Sequence, residues 1–443
     1  MNCYVCSENS WEKVTIEKDG KQVPIHTEMT LQVCLNCGNA CHSVEPISED
    51  KIKEYYRKEY RGAPNINNLL TTTHKQNYIA VFLREFLTGK KGLVCGDVGC
   101  ATGYLPAFLR QLGHKATGCE YTITYRRFAE HYYGIPITEE LEPKHKYDFI
   151  SMYHVLEHIV EPDKKLAHYV SMLKDDGHML ISTPEWFGVL EEASGTPLVS
   201  FDNLFHKNHI NLFSRRSLQN LFANAGLEIV KEDFLVYGQT YLVRKASGGT
   251  LPAVVFENPQ EQIKSLQTQY KAIGLFLANQ LKEVVALYPN TPEAWLKQIF
   301  VLAMKDLDKQ TDLFAAATEA CPGSYRIKAG KATWLYQQGK LQEALAVYQD
   351  ICAKKPNEND FMFMGYCLAQ LGDHATAKQC FLTACQIDPR KWTEAQNWAC
   401  AEACKMPTWD EKAVAQVKET LFQQNKDNVK IKPRDPVMDA ASA

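Results

Sequence analysis

Two acidic side chains lie close in sequence to a glycine-spaced turn in the middle of the chain. The stretch GDVGCATGYLPAFLRQLG (96–113) joins an apolar run to an amphipathic segment, with Asp97, Gly99 and Gly103 at the junction. A second apolar run, KATGCE, ends in Glu120, 21 residues after Gly99. A turn of this kind between a strand and a helix offers backbone N–H groups to a small ligand. The two carboxylates add acceptors for hydroxyl or ammonium groups of that ligand.

The residues of the turn distinguish between three nucleotide-containing ligands. A P-loop needs G-x-x-x-x-G-K-[ST], and the lysine and the hydroxyl residue are missing. A dinucleotide turn needs G-x-G-x-x-G, but here two glycines are four residues apart with Ala101 between them. S-adenosylmethionine (SAM) has no phosphate. Its ammonium, carboxylate and ribose hydroxyls suit Asp97, the turn amides and Glu120, so the turn favours SAM.

An alternation of predicted strands and helices must position these residues. After the turn, Leu105, Phe108, Leu109 and Leu112 fall on one apolar helix face, and Ser214 is the expected N-cap of the helix SRRSLQNLFANAG. The predicted strands are GLVCGDVG, KATGCE, YDFISMYHV, HMLISTPE, LEIVKEDFLV and QTYLVRKA. The alternation predicts a doubly wound α/β sheet over residues 90–245, with ligands at the carboxyl ends of its strands.

Three of these segments together resemble the class I SAM-dependent methyltransferases: VCGDVGCATG, GCE and YDFISMYHVLEH. The resemblance covers about residues 70–245 and implies a Rossmann-like core with a seven-stranded sheet. It implies cofactor contacts from Asp97, Gly99, Cys100, Gly103, Glu120, Tyr153 and His154. The first four would hold the methionine end of SAM, Glu120 the ribose, and the last two would line the sulfonium and the methyl group. The family usually has glycine where this chain has Ala101.

Four N-terminal cysteines form two C-x-x-C pairs, Cys3/Cys6 and Cys34/Cys37, separated by 27 residues. Two such knuckles supply four thiolates to one tetrahedral zinc ion. The segment KVTIEKDGKQVPIH alternates around Asp19-Gly20 and predicts a hairpin, as in a zinc ribbon. Because four thiolates leave no open coordination position, we expect a structural zinc site in residues 1–45.

Histidines mark the acceptor side of the expected site, since imidazole is the natural base near neutral pH. His154 follows the third strand, and His206 and His209 lie in FDNLFHKNHINLFS (201–214). His158 is expected to pack or to cap a helix. His209 is the preferred candidate for the base, followed by His206 and His154.

The segment around His209, together with the ribbon and YYRKEYRG (55–62), resembles sugar methyltransferases acting on nucleotide-linked deoxysugars. Those enzymes carry a Tyr-His-Glu-His run whose last histidine, matched here by His209, is the base. Asn208 and Phe205 replace the Glu and the Tyr of that run. Because this run has fewer acid-base residues than the run in those enzymes, O- or N-methylation of a sugar is favoured over C-methylation. The sugar would be either nucleotide-linked or part of a surface or flagellar glycan.

Residues 46–89 are predicted to form a helical lid or connector. Tyr56 and Tyr60 have helical spacing in this segment. The resemblance implies that they close over the cofactor and the sugar, whereas the spacing alone equally fits a packing stripe.

The C-terminal third is predicted to form helical repeats over residues 254–426, after a linker at 246–253. Prolines recur at positions 289, 322, 356 and 389, at spacings of 33, 34 and 33. QQGKLQEALAVYQDICAKKP aligns with AQLGDHATAKQCFLTACQIDP, and the pattern resembles tetratricopeptide repeats. Such repeats imply either a groove for a partner protein or a packing and dimerisation domain. Residues 427–443 are polar and are predicted to be a disordered tail.

The composition excludes several other classes. The chain has 443 residues, 45% of them hydrophobic and 23% charged, with a net charge of −3. These values are typical of a soluble globular protein and give no reason to expect a nucleic-acid partner. No apolar run approaches the roughly 20 residues of a membrane span, and the N-terminus does not resemble a secretory signal. We therefore expect a cytoplasmic enzyme, with a homo-oligomer possible.

Two other functions remain open at the level of the sequence. One is a protein methyltransferase that grips its polypeptide substrate through the repeats. The other is a non-catalytic scaffold with a vestigial methyltransferase fold, although the intact Asp97, Gly99, Gly103 and Glu120 weigh against it.

Overall fold

The structure is a computed structural model. It describes residues 2–18, 21–24, 30–43, 49–58, 79–80, 82–184, 209–235, 238–246, 254–289, 291–303, 306–354, 357–388, 391, 394–395 and 397. Among the predicted features, Tyr60, His206, most of the linker and the C-terminal tail lie outside these residues.

The N-terminal residues form small antiparallel sheets. Strand β1 (Trp11–Lys13) pairs with β4 (Thr30–Cys34), which in turn pairs with β5 (Ala40–Ser43). Strands β2 (Thr15–Lys18) and β3 (Lys21–Pro24) form the hairpin expected from the alternating pattern. The two C-x-x-C pairs lie before β1 and at the end of β4. We call the cysteine pairs and strands β1–β5 the ribbon, and zinc binding by it stays a prediction.

The middle of the chain forms a seven-stranded mixed sheet, as predicted. Its strands are β6 (Val94–Val98), β7 (Lys115–Cys119), β8 (Ile137–Thr138), β9 (Tyr147–Tyr153), β10 (Leu173–Thr183), β12 (Leu227–Leu235) and β13 (Gly238–Lys245). The spatial order is β8-β7-β6-β9-β10-β13-β12, with β13 antiparallel to both neighbours. The parallel strands β8, β7, β6, β9 and β10 end at one edge, and the order reverses between β6 and β9. Ligands bind at such a reversal point in open α/β sheets.

Helices cover the sheet, and most of their predicted features are present. They are the helical residues 82–87 (α2), α3 (Tyr104–Gln111), α4 (Ile123–Tyr133), α5 (Pro162–Met172) and α6 (Arg215–Asn224). Ser214 caps α6 as predicted, since its hydroxyl accepts a hydrogen bond from Ser217 N at 3.1 Å. The placement of Leu112 on the apolar face of α3 is wrong. The helix ends at Gln111 and the Leu112 side chain is 41% exposed.

One short strand leaves the core and joins the N-terminal sheet. Strand β11 (Asn211–Leu212) pairs antiparallel with β5, and His42 N donates to Ile210 O at 2.8 Å. The side chain of Asn211 is 2% exposed, and its Nδ2 donates to Leu156 O at 3.3 Å and to Ile159 O at 2.6 Å. The ribbon, the chain after His209 and the loop after β9 are therefore tied together. No local pattern in the sequence indicates this pairing.

The C-terminal region is helical. Its helices are α7 (Pro259–Leu277), α8 (Leu281–Leu287), α9 (Pro292–Lys297) with a π-helical turn Gln298–Leu302, α10 (Leu307–Ala320), α11 (Tyr325–Gln337), α12 (Leu341–Lys354), α13 (Glu358–Gln370) and α14 (His374–Ile387). The last four form two helix hairpins whose aligned residues Tyr348 and Phe381 are both fully buried. Gly339 and Gly372 lie in the connecting turns with φ of 71° and 88°. Within the described residues, no helix combines the length and the apolar content needed to cross a bilayer.

The first helix of this region packs on the N-terminal ribbon. Leu31 and Val33 of the ribbon share a buried cluster with Leu266 and Ile273 of α7. Glu257 N donates to Cys37 O at 3.1 Å, directly beside the second cysteine pair. The ribbon therefore lies between β11 of the core and the helical region.

We expect the Asn211→Ala variant to lower the free energy of unfolding by about 1–3 kcal/mol, because it removes the donor to Ile159 O and one of the two donors to Leu156 O. Hydrogen exchange of the backbone amides of residues 156–159 should become faster in the same variant. Urea denaturation and hydrogen-exchange mass spectrometry measure the two effects. Asn359→Ala, at an exposed asparagine, is the matched control. Equal stability of the two variants would contradict the role given to Asn211.

Candidate functional site

The turn between β6 and α3 requires glycines because of its positive φ angles and because neighbouring side chains leave no room for a Cβ. Gly99 and Gly103 have φ of 66° and 78°. A Cβ on Gly99 would lie 2.6 Å from Val155 Cγ2, and one on Gly103 would lie 2.7 Å from Ala129 Cβ. Ala101 also has a positive φ, 47°, which costs a non-glycine residue roughly 1–2 kcal/mol. The turn is therefore tightly folded against the loop after β9 and against α4.

Asp97 lies at the end of β6 as a buried carboxyl group, 3% exposed. It accepts a hydrogen bond from Ser151 Oγ at 2.6 Å. Burial and, to a smaller extent, the charge on Glu120 raise the pKa of Asp97, the Ser151 hydrogen bond opposes the rise, and the pKa that results is about 7. A buried carboxylate with one neutral hydroxyl donor is well suited to bind a cation such as an ammonium group.

Glu120 follows β7, and backbone groups fix its carboxylate. Ala101 N donates to Oε2 at 3.1 Å and Thr122 N donates to Oε1 at 2.8 Å. Each carboxylate oxygen has two lone pairs, so both oxygens can accept a further hydrogen bond from a vicinal diol. The carboxylate is thus directly connected to the glycine turn, as a ribose contact beside that turn requires.

Cys100 is present in the turn, but its side chain is buried and packs towards β7. Its N–H donates to Cys119 O at 3.0 Å, and a Cβ on Gly118 would lie 2.6 Å from its Sγ. Gly118 is therefore needed because Cys100 fills the space above it. Contact between Cys100 and a cofactor stays a prediction.

Tyr153 and His154 lie together at the carboxyl end of β9. Their ring centroids are 4.4 Å apart, and His154 N donates to Ser182 O at 2.9 Å. His154 has φ of 54°, so the chain turns sharply at the point where it leaves the strand. The following residue, Val155, covers Gly99 as described above.

Three imidazoles surround the buried carboxylate of Glu157. His154 and His158 belong to the same loop as Glu157, whereas His209 lies just before β11. We call His154, Glu157, His158 and His209 the Glu157 cluster. Glu157 Oε1 lies 3.4 Å from His154 Nδ1 and 3.8 Å from His158 Nε2. The rings of His158 and His209 are 4.8 Å apart. Sequence reasoning selected His154 and His209 separately, expected only packing from His158, and missed Glu157. The local signal was the run His154-x-x-Glu157-His158.

The charge state of Glu157 reflects these neighbours. Its side chain is 1% exposed, and burial by itself raises the pKa of a carboxyl group. The contact with His154 and the charges of His158, His154 and His209 outweigh burial and lower the pKa of Glu157 to about 2. Glu157 is therefore a buried anion that needs positive charge beside it.

Helix α1 (Glu49–Lys58) lies across the loops that follow β7 and β8. Arg57 forms an ion pair with Glu139 at 2.7 Å, and Thr122 Oγ1 donates to Tyr56 O at 3.1 Å. The ring of Tyr56 is 5.8 Å from that of His158. The segment expected to form a lid thus brings Tyr56 beside the Glu157 cluster.

The four N-terminal cysteines meet at one point. Cys3 Sγ and Cys37 Sγ are 3.5 Å apart, and Cys6 Sγ and Cys34 Sγ are 3.6 Å apart. All four sulfur atoms lie within 4.8 Å of one another. Thiolates at about 2.3 Å from a tetrahedral zinc ion are separated by about 3.8 Å. The four sulfurs therefore fit one zinc ion after small side-chain adjustments.

Comparison with known proteins identifies the class of the core. Residues 72–232 match a family model described as "Methyltransferase domain". The chain therefore contains a methyltransferase domain, and the predictions of that domain and of its Rossmann-like sheet are confirmed.

Individual relatives match over part of their length. The chain is 31% identical over 138 residues to the ubiquinone biosynthesis O-methyltransferase of Marinobacter nauticus, covering 28% of this chain and 54% of that protein. It is also 31% identical over 138 residues to the tRNA U34 carboxymethyltransferase of a Sulfurovum species, covering 28% of this chain and 46% of that protein. The chain thus spans about half the length of the curated relatives it matches.

Solved methyltransferase structures are also similar. The magnesium protoporphyrin IX methyltransferase of Synechocystis with bound SAH is 17% identical, with 45% of this chain and 100% of that chain covered and a TM-score of 0.34. A complex of the Haloferax volcanii Trm112 methyltransferase activator with a putative methyltransferase gives 14% identity, 42% and 96% coverage, and a TM-score of 0.33.

We expect Asp97→Asn to stabilise the ligand-free protein at pH 8 and to weaken SAM binding at least tenfold. Burial raises the pKa of Asp97 from 3.8 to about 7, so the folded state keeps a proton that the unfolded chain releases near pH 4. The associated stability is present below pH 4 and is lost as the pH rises through 7. The gain on substitution should therefore be larger at pH 8 than at pH 5.

Thermal unfolding at both pH values and calorimetric titration with SAM measure these effects. Asp148→Asn is the matched control. Although burial acts to raise its pKa, the Lys174 ammonium at 2.7 Å and the Val94 N–H lower it, so this substitution should destabilise the protein at pH 8. Destabilisation by Asp97→Asn at pH 8 would contradict the role of Asp97.

Proposed function

We propose that the chain is a SAM-dependent methyltransferase that methylates a hydroxyl group of a sugar, either nucleotide-linked or part of a glycan. The observation that carries the proposal is the position of the Glu157 cluster. Val155, which packs on Gly99 of the glycine turn, stands two residues before Glu157 in the same loop. Basic side chains and the expected cofactor site are thus immediate neighbours.

The chain's own residues would act on both reactants. SAM, when bound, supplies a methyl group on a positively charged sulfur. Asp97 and the turn amides would hold the methionine end, and Glu120 the ribose hydroxyls. His209 or His154 would accept the proton of the acceptor hydroxyl as its oxygen forms the new bond to carbon and the carbon–sulfur bond breaks. Glu157 would stabilise the resulting imidazolium, as a buried carboxylate does in hydrolase triads.

The polarity of the acceptor side supports a hydroxyl-rich acceptor. Three imidazoles, the Glu157 carboxylate and the Tyr56 ring lie together there, which suits a sugar better than an apolar ring system. The Marinobacter nauticus relative described above is an O-methyltransferase by name, in agreement with oxygen as the acceptor atom. A net charge of −3 gives no support for an RNA acceptor.

We also propose that the four N-terminal cysteines hold a structural zinc ion and that the helical hairpins act as tetratricopeptide-like repeats that bind a partner protein. The zinc ion would brace the ribbon whose strand β5 holds β11. It would therefore support the position of His209 without taking part in the chemistry.

Labelled SAM incubated with pooled nucleotide sugars, cell glycans and cell protein tests the function. We expect labelled methyl groups in the sugar fraction, detected by mass spectrometry. We expect His209→Ala to lower kcat by about 10²–10⁴-fold, as for loss of a general base, while SAM affinity is kept. His168→Ala, at an exposed histidine, is the control.

The other outcomes separate the remaining functions. Label found only in protein would replace the sugar by a polypeptide acceptor. Absence of SAM binding in calorimetry would overturn both enzymatic functions and leave the scaffold.

Zinc analysis tests the cysteine site. We expect the double variant Cys34→Ser/Cys37→Ser to hold one zinc ion fewer per chain than the native protein and to unfold at a lower temperature. Cys41→Ser is the control, since Cys41 is buried but lies outside the four-cysteine group. Unchanged zinc content in the double variant would refute the site.

A further inference from the structure

We propose that Glu157, His158 and His209 form a second metal site, which binds a divalent transition-metal ion beside the glycine turn. Two imidazoles and one carboxylate are a recurrent ligand set for ions such as Mn²⁺, Fe²⁺, Co²⁺ and Zn²⁺. This site is separate from the four cysteines, whose thiolates form a closed tetrahedral set.

The distances between the ligand atoms fit one ion. One ligand atom from each of the three side chains lies within 4.8 Å of the other two. The measured separation between His158 Nε2 and Glu157 Oε1 is 3.8 Å. Ligands at about 2.1 Å from one ion are separated by about 3–4 Å. Small rotations of the side chains would therefore bring all three into coordination.

The electrostatics of the cluster also call for a cation. The Glu157 carboxylate is almost fully buried, and within the described residues neither of its oxygens has a hydrogen bond of normal geometry. A buried carboxylate is costly unless positive charge or hydrogen-bond donors compensate it. Among the described residues, the imidazoles of His154, His158 and His209 face it.

Protonated imidazoles are the other source of positive charge beside Glu157. The rings of His158 and His209 are only 4.8 Å apart, so two imidazolium ions there would repel each other. A metal ion takes both rings in their neutral form and supplies the positive charge itself. One ion thus satisfies the carboxylate without placing two like charges side by side.

The ligands come from two segments whose relative position is fixed by the fold. Glu157 and His158 lie in the 3-10 helix Leu156–His158, and His209 precedes β11. Asn211 joins these segments by donating to the carbonyls of Leu156 and Ile159. Pairing of β11 with β5 fixes the second segment further. A site built on such supports is positioned without help from the ion.

A catalytic role of this metal site would rest on the proposed function. Metal binding itself does not depend on that function. Three protein ligands leave coordination positions open, and a hydroxyl of the acceptor would occupy one of them. Metal coordination lowers the pKa of a bound hydroxyl group. His209 would then be a ligand, and His154 would be the group that takes the proton.

Manganese binding to the full-length protein, without SAM or acceptor, tests the site. Mn²⁺ favours carboxylate ligands and binds thiolates poorly, so the cysteine site contributes little to the signal. Free Mn²⁺ is counted by electron paramagnetic resonance. We expect one bound Mn²⁺ per chain, and at least a tenfold loss of affinity in Glu157→Gln. Glu161→Gln, at an exposed glutamate nearby, should bind as the native chain does.

A second variant pair guards against misfolding of Glu157→Gln. His209→Asn should lose Mn²⁺ affinity to a similar extent, and His168→Asn should not. Native protein that binds no Mn²⁺, or folded variants Glu157→Gln and His209→Asn that keep the native affinity, would overturn the proposal. Calorimetry with SAM on the same native sample separates the two ideas. SAM binding without Mn²⁺ binding overturns the metal site alone, and loss of SAM binding overturns the proposed function.

Discussion

The pairing of β11 with ribbon strand β5 is the contact on which the geometry of the Glu157 cluster depends. Two residues, Asn211 and Leu212, leave the α/β core and complete the N-terminal sheet. The Asn211 side chain then hydrogen-bonds to the backbone on both sides of the loop that carries Glu157 and His158. A ribbon that is distant in sequence therefore sets the position of His209 relative to the loop after β9.

Two buried carboxyl groups of the same domain have opposite charge states for a clear physical reason. Asp97 has a neutral hydroxyl as its side-chain donor, so burial dominates and raises its pKa to about 7. Glu157 has three imidazoles around it, and their charge lowers its pKa to about 2 despite equal burial. The first group is poised to receive a cation from a ligand. The second already needs positive charge beside it, and the proposed base and the proposed metal ion are two ways in which the cluster would supply that charge.

The ribbon also links the core to the helical region. Its strands share a hydrophobic cluster with α7. Glu257, just before α7, contacts both the ribbon and the core. Its N–H donates to Cys37 O of the ribbon, and its carboxylate accepts a hydrogen bond from Ser214 Oγ of the core at 2.6 Å. Residues before the core and after it thus pack together. A partner held by the helical hairpins would act on a unit that includes the ribbon, and through β11 the site itself.

The sequence by itself determined the elements whose signals are local. The alternation of strands and helices, the glycine turn with Asp97 and Glu120, the paired cysteines and the Ser214 cap all depend on neighbours within about 30 residues, and each appears in the structure as expected from its pattern. The tertiary structure alone decided which distant segments meet. Glu157 was missed because a single carboxylate in an apolar loop leaves no periodic pattern in the sequence. Its contact with the histidine cluster involves His209, 52 residues away, and only the tertiary structure brings the two together. β11 was missed because a two-residue strand is specified by the edge it joins, and that edge lies near residue 41.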